Sequence, residues 1–412
     1  MRSAIVLGGG MVGVGTALHL QSRGWSVALI DRNEPGRETS YGNAGIIQSE
    51  AVRPYAMPHD ISGLFDIATG RTNDVHYEPL ALPYHLRPLL QYWWNSFPKR
   101  HEQIAQTYAR LIARATPEHE PLIAASGAGN LVRRDGFRVI HREQAQFDKE
   151  VEEAEAVRAA YGVKFKVLSA RELAQAEPGL SDSGLGGLQW LEPWTVADPG
   201  GLVTSYADLF IRRGGRFVHG DATTLAQTGT GWSVTTADGP IDAEAAVVAL
   251  GPWSPAFLER FGYDIPMVRK RGYHRHYSGG APLDLPLRDA AFGYLMNPMV
   301  MGVRITTGAE LSGPDAEPTP VQLAKAETAA RQLIDLGKPV EPEPWLGTRP
   351  CMPDMLPVVG PAAGHKGLWL HFGHGHQGFT LGPTTGRLLA EMMNGEEPSV
   401  DATACAPARF GA

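Results

Sequence analysis

The first thirty residues alternate between apolar runs and glycine. Ser3 to Leu7 (SAIVL) is an apolar run suited to a parallel strand buried on both faces, and Gly8-Gly9-Gly10-Met11-Val12-Gly13 follows at once. Val14 to Arg23 then has helical spacing, with Val14, Ala17 and Leu18 along one side. Gly24 stops it before a second strand, Ser26 to Ile30, that ends at Asp31. Farther on, Pro88 to Ala125 reads as amphipathic helix interrupted near Pro98, with Trp93 and Trp94 packing in the core. Strands follow around Leu131 to Ile140, then a charged helix at Arg142 to Tyr161 and a helix start at Ser169, where Ser169 and Glu172 have capping-box spacing. From Ala197-Asp198-Pro199 the alternation of helix and strand returns: Gly201 to Arg213 is helical, Arg216 to His219 is a strand, and Ile241 to Leu250 runs into Gly251-Pro252-Trp253. Met267 to Ile305 alternates as an antiparallel sheet does, and Gly367 to Phe372 with the helix after it closes the chain.

This order predicts an α/β fold, α+β overall. A Rossmann-like dinucleotide domain is interrupted by a second domain built on an antiparallel sheet plus helices. The expected boundaries are 1–60, 195–262 and 339–412 for the first domain, and 61–194 and 263–338 for the second, substrate-binding domain.

The GxGxxG turn between strand and helix carries the clearest chemistry. Gly8 and Gly10 permit a tight turn and the close approach of a pyrophosphate. Gly13 lets helix and strand touch, the helix N-terminus offers free amides, and Asp31 is placed to accept from a ribose. The loop Glu38 to Ile47 (ETSYGNAGII) is crowded with small and amide residues that suit an extended ribityl-pyrophosphate chain, which favours FAD over NAD. No second nucleotide half-site matches, since SGAGN at Ser126 departs from the pattern, so the electron donor is expected to be the substrate itself.

Composition narrows the class further. The 412 residues are 43% hydrophobic and 20% charged, enough for a sizeable core, with a net charge of -7. The longest basic cluster is RKR at Arg269, so a nucleic-acid partner is not expected. Two cysteines, Cys351 and Cys405, fit a reducing compartment and offer no thiolate metal cage. No apolar run of membrane-spanning length appears, and a cytoplasmic protein is expected, with peripheral contact at the inner face of the membrane as an option.

Several separated segments resemble the FAD-dependent amine and D-amino-acid oxidoreductases, a family that includes glycine oxidase, sarcosine oxidase and bacterial D-amino-acid dehydrogenases. They are GGGMVG at Gly8, TSYGNAG at Thr39, ADP at Ala197, LGPWS at Leu250, RGYH at Arg271, NPMVMGVRITTGAEL at Asn297, WLGTRPCMPDMLPVVG at Trp345 and GHGHQGFTLGPTTGRLLAE at Gly373. The resemblance is closest to the dehydrogenase branch. It implies oxidative deamination of a D-amino acid, or of a cyclic D-imino acid, by hydride transfer from the α-carbon to flavin N5. An oxygen-using glycine or sarcosine oxidase and a non-catalytic flavin-binding subunit are the alternatives. The acceptor, whether quinone, carrier or oxygen, stays open. Arg349 looks like the arginine that grips the substrate carboxylate, against a structural ion pair with Asp354. Tyr294 looks like a tyrosine near the substrate. His274 either contacts substrate or holds its loop, and His376 resembles a polar residue beside the substrate. The expected FAD-binding set is Gly8, Gly10, Met11, Val12, Gly13, Asp31 and Arg32, then Thr39, Ser40, Asn43, Ala44, Gly45 and Ile46, then Thr224, Gly251 and Trp253, and finally Gly375, His376, Gly378, Phe379 and Thr380. Cys351 is only three residues before Asp354, unlike the flavin-attaching cysteine of sarcosine oxidases, so noncovalent FAD is expected. The GHGH stretch at Gly373 reads as a flavin cradle whose backbone amides face the ring. His374 is structural in this reading, and no metal is called for.

Overall fold

The computed structural model describes residues 2–60, 73–313 and 316–412. Residues 61–72, which the sequence reading assigns to the substrate part, lie outside the described residues.

A sheet of six strands forms around the first apolar run. Its order is Arg216–His219, Ser26–Asp31, Ser3–Leu7, Ala245–Val248, Leu368–Phe372 and Val358–Pro361. The first five are parallel and only Val358–Pro361 runs against its neighbour. Ala4, Ile5, Val6 and Leu7 are all buried, as a strand covered by helices on both faces requires.

On one face, the helix Met11–Gln21 lies against the helix Gly378–Asn394, main chain to main chain. A β-carbon on Gly15 would stand 2.9 Å from the carbonyl oxygen of Gly382, and one on Gly386 would stand 2.8 Å from the amide of Thr16. Only glycine allows that approach.

The second sheet joins eleven strands among the described residues, with Val268–Gly279 at its centre. Its register alternates side chains strictly between two faces. Tyr273, Tyr277, Met296 and Ile305 pack beneath the helix Val321–Leu333, whose Ala326, Ala330 and Leu333 are fully buried. Val268, Lys270 and Gly272 belong to the opposite face, which looks toward the six-stranded sheet.

One strand departs from the expected division of the chain. Trp345–Cys351 pairs with Val268–Gly279 along its whole length, from Trp345 opposite His274 to Cys351 opposite Val268. The chain rejoins the first sheet only at Val358. The motif containing Arg349 is thus a strand of the larger sheet, and the expected boundary at residue 339 falls before it.

Candidate active site

The glycine turn is shaped by contacts that exclude side chains. Gly8 has φ +114°, and a β-carbon there would lie 2.3 Å from the carbonyl oxygen of Ala249. A β-carbon on Gly13 would lie 1.9 Å from the carbonyl oxygen of Gly8, so helix and strand meet directly. The amide of Gly9 donates to Asp31 Oδ2 at 2.6 Å, and the amide of Asn33 donates to Asp31 Oδ1 at 2.9 Å. Asp31 therefore clamps the turn to the second strand, a role beyond the ribose contact the sequence suggests. The amide of Met11 donates to Ser40 Oγ at 3.0 Å, tying the loop after the second strand to the helix N-terminus.

That loop is also held from the second sheet. Arg304 donates to the carbonyls of Tyr41 and Asn43 at 2.9 and 2.8 Å, and Asn297 Nδ2 donates to the carbonyl of Ala44 at 2.6 Å. The Thr39 hydroxyl donates to the carbonyl of Thr348 at 3.2 Å. Each contact crosses between the two sheets, so the loop serves both.

Between the sheets lies a cavity of about 1890 Å³. Gly8, Gly10, Met11, Val12, Asp31, Arg32, Thr39, Ser40, Asn43, Ala44, Ile46, Gly251, Trp253, Gly375, His376, Gly378 and Phe379 border it, as the sequence reading places them. Arg32 stacks on Trp253 at 5.1 Å. Four residues of the expected set do not border it. Gly13 sits behind the turn, and Gly45 packs against Val196 and Asn297. Thr380 Oγ1 accepts from the amide of Gln48 at 3.2 Å. Thr224 Oγ1 donates to the carbonyl of Asp221 at 2.7 Å and accepts from the amide of Thr235 at 2.9 Å, so its neighbour Thr223 borders the cavity instead.

The residues present fit FAD. The volume exceeds the roughly 300–1,000 Å³ that suffices for a compact ligand. Backbone rather than side chain lines the Gly8 to Gly10 edge, and the N-termini of both packed helices open onto the cavity with amides that have no intrahelical acceptor.

The GHGH stretch holds this edge in place. The amide of Gly375 donates to the carbonyl of Pro350 at 2.8 Å, which brings His376 beside Arg349. His371 Nε2 and His374 Nε2 lie 2.8 and 2.9 Å from Thr385 Oγ1, whose hydroxyl donates to the carbonyl of Leu381 at 2.8 Å. The hydroxyl oxygen is thereby the acceptor for both imidazole N–H groups. Burial pushes His374 down to about 3 and His371 well below its ordinary value, so both rings are neutral supports of the cradle helix.

Arg349 borders the cavity with a guanidinium that no carboxylate of the described residues pairs with. Nη1 and Nη2 donate to the carbonyls of Gly308 and Thr307 at 2.7 and 2.9 Å. Asp354, the ion-pair alternative, is bound to Arg409 at 2.6 Å. Burial lowers the Arg349 pKa, the signature of a charge kept out of water with only neutral partners.

Directly opposite Arg349 in the register stands Lys270, whose ammonium rests on the Tyr92 ring at 4.6 Å from the centroid. His376 meets the edge of Tyr55 at 5.5 Å and is held well below its ordinary pKa by burial, with Arg349 and Lys270 adding repulsion. Cys351 packs with Val268 and Leu311 at the cavity wall, and burial raises its thiol pKa.

Of the remaining expected substrate residues, Tyr294 is at the cavity and His274 is not. Tyr294 borders the cavity, as does its neighbour Leu295, and its ring also packs with Tyr273, Tyr277 and Met296. His274 lies on the cavity-side face but past the cavity's end. It is stacked on Trp345 at 4.8 Å and flanked by Tyr41 at 5.6 Å. Its ring is thus in contact with the loop that carries Tyr41. Next to it, His276 accepts from Arg304 Nε at 2.9 Å and pairs with Glu341, so this histidine pair is engaged with a guanidinium.

The sequence reading missed Lys270, Tyr55, Glu50, Asp74 and Arg288, all of which border the cavity. Lys270 had a signal, since it is two residues before Gly272 on the same face of one strand. Glu50 and Tyr55 follow the strand Ile46–Ile47 in an irregular stretch without a period to read.

Comparison with known proteins agrees with this geometry. The model of the family DAO, FAD dependent oxidoreductase, matches residues 3–392. The chain belongs to this family of FAD-dependent oxidoreductases. It is 30% identical over 430 residues to a D-amino-acid oxidase of Bradyrhizobium diazoefficiens, covering 99% of both chains. It is also 30% identical over 436 residues to a D-amino acid dehydrogenase of Granulibacter bethesdensis, covering 98% of this chain and 99% of the other. The fold is shared with glycine oxidase from Geobacillus kaustophilus, at a TM-score of 0.72 and 18% identity over 98% of each chain. L-proline dehydrogenase from P. horikoshii also has a TM-score of 0.72, at 17% identity over 99% of this chain and 97% of the other.

Proposed function

We propose that this oxidoreductase removes two electrons from the α-carbon and nitrogen of a D-amino acid, or of a cyclic D-imino acid, by a dehydrogenase reaction. The observation that carries the reading is Arg349: an enclosed guanidinium in the cavity, fixed by two carbonyls and lacking a carboxylate partner among the described residues. A substrate carboxylate supplies that partner, and the planar fork suits a bidentate contact. Lys270, opposite in register, adds a second cation for the same carboxylate. FAD, when bound, accepts the hydride from the α-carbon. The imino acid formed from a primary amine is hydrolysed to a 2-oxo acid and ammonia, whereas a cyclic substrate leaves as the cyclic imine with its nitrogen retained. His376, kept neutral by burial and its cationic neighbours, is a hydrogen-bonding group for the substrate that adds no further charge.

The relatives named D-amino acid dehydrogenase and D-amino-acid oxidase support an amino-acid donor and divide on the acceptor. In this reading, 1–60, 195–262 and the segment from Val358 onward hold noncovalently bound FAD, while 263–338 and the strand Trp345–Cys351 join 61–194 in holding the substrate. No helix among the described residues is long and apolar enough to cross a membrane. Peripheral contact with a bilayer is supported by the helix Leu82–Asn95, which exposes Leu86, Leu90 and Trp94 at four-residue spacing, with Leu80 exposed just before it.

Anaerobic addition of a panel of D- and L-amino acids to the yellow holoenzyme tests the assignment. Bleaching by D-amino acids is expected, and no bleaching by any amino or imino acid would overturn it. Reoxidation in air then separates the acceptors: slow return of colour supports a dehydrogenase and fast return an oxidase.

A further inference from the structure

Past Arg349 the cavity continues to an end of different charge. Its wall carries Glu50, Asp74, Glu150 and Arg288, and Tyr55 stands within electrostatic reach of both this group and Arg349. Tyr55 has 62% of its surface accessible, and that surface faces the cavity. Arg288 is paired with Glu150, so its charge is answered. Among the described residues Glu50 and Asp74 form no ion pair, and Arg288 acts on both only at a distance.

Glu50 is 8% exposed; its Oε1 accepts from Gln48 Nε2 at 2.6 Å, while its Oε2 is buried without a hydrogen-bond partner. Gln48 is in turn held by Gln377, the residue that starts the cradle helix, so the carboxyl is fixed relative to the cofactor site. Asp74 borders the cavity and forms no ion pair or side-chain hydrogen bond among the described residues. Asp74 is exposed to the cavity and adds negative charge there, whereas the enclosed Glu50 carboxyl oxygen without a partner is costly unless something arrives to pair with it. Burial raises Glu50 to about 7, as expected of a carboxyl whose cation is absent.

We propose that this end of the cavity is a side-chain subsite for a cation, so that the preferred substrates are amino acids whose side chains end in an ammonium or guanidinium group. The assignment rests on the amino-acid reading of the same cavity and names its substrate class. The α-carboxylate meets Arg349 and Lys270 at one end. The side-chain cation meets Glu50 and Asp74 at the other, with the Tyr55 ring beside it as a cation-binding face. Arg288, already neutralised by Glu150, marks the limit of the subsite.

The test compares kcat/KM for D-arginine, D-lysine, D-leucine and D-glutamate in the holoenzyme and in the variants E50Q and D74N. The basic substrates are expected to exceed D-leucine by at least about tenfold, the worth of one charged hydrogen bond. D-Glutamate is expected to be poorest. Each variant should lower the basic-to-leucine ratio by about tenfold. Retained flavin colour and melting temperature identify the variants that have folded, and D74N, at an accessible position, stands in if E50Q does not. If D-leucine or D-glutamate is preferred, or the ratio is unchanged in a folded variant, the subsite is wrong while the amino-acid reading stands. If no member of the panel is oxidised, the amino-acid reading itself fails and the subsite falls with it.

Discussion

A β-carbon on Gly272 would stand 2.6 Å from Nη1 and 2.7 Å from Nη2 of Arg349. The guanidinium therefore lies flat on the main chain of the neighbouring strand, and the missing side chain at Gly272 is the space it occupies. Gly272→Ala should displace Arg349 and lower kcat/KM by roughly 10- to 100-fold, the worth of a charged hydrogen bond or two. Most of the loss should fall in KM. Steady-state kinetics on an amino acid that bleaches the flavin check this, and an unchanged KM would separate Arg349 from carboxylate binding.

Arg349→Lys should be nearly as damaging as Arg349→Ala. An ammonium cannot donate to the carbonyls of Thr307 and Gly308 and also offer a planar fork to a carboxylate. Both variants should raise KM by about 100-fold or more. Full activity in the lysine variant would show that charge alone suffices.

Stability should fall on mild acidification. His119 is lowered to about 4 and His374 to about 3, each by burial, and His371 well below the ordinary value. The unfolded chain binds protons near pH 6.5 that the folded chain refuses, so stability is full above about 6.5 and declines as pH drops toward 4. Each such histidine contributes about 1.4 kcal/mol per pH unit within its window. Glu50, raised to about 7, works in the opposite direction between its unfolded value and 7, and offsets part of the slope. Urea midpoints at pH 7, 6 and 5 should decrease in that order, and a flat profile would mean the histidines are not buried neutral.

FAD should be released intact by acid precipitation, leaving a yellow supernatant and a colourless pellet. Cys351→Ser should keep the flavin content, because the thiol packs against Val268 and Leu311 and burial keeps it protonated. Colour that stays with the pellet in the parent and leaves it in the variant would instead show covalent attachment.

Contact with a bilayer through the helix Leu82–Asn95 predicts co-flotation with vesicles containing anionic lipid. The double substitution Leu86→Asp and Leu90→Asp should reduce it by about tenfold or more, since each leucine contributes about 1.5–3 kcal/mol when fully buried. Binding that survives the substitution would move the contact elsewhere.

The cofactor half of the site was legible because its chemistry lies in main-chain geometry that leaves a sequence trace. The turn at Gly8 needs glycine, and the strand before it needs an unbroken apolar run. The substrate half was read unevenly for the same physical reason. Arg349 came with its motif, whereas the place of His274 past the cavity's end depends on how Val268–Gly279 pairs with Trp345–Cys351, which no local spacing announces. Asp74, Glu50 and Tyr55 meet only because distant segments fold together, so no spacing joins them. The boundary expected at residue 339 meets a similar difficulty: Trp345–Cys351 is strand in either sheet, and pairing with Val268–Gly279 is a long-range choice.

Gly15, Gly382 and Gly386 hold the two cradle helices at main-chain distance, and the N-terminal ends of both helices border one cavity. No rotamer can adjust that spacing, so the molecule works as a fixed calliper. A ligand long enough to reach both helix ends meets a spacing that the main chain alone sets.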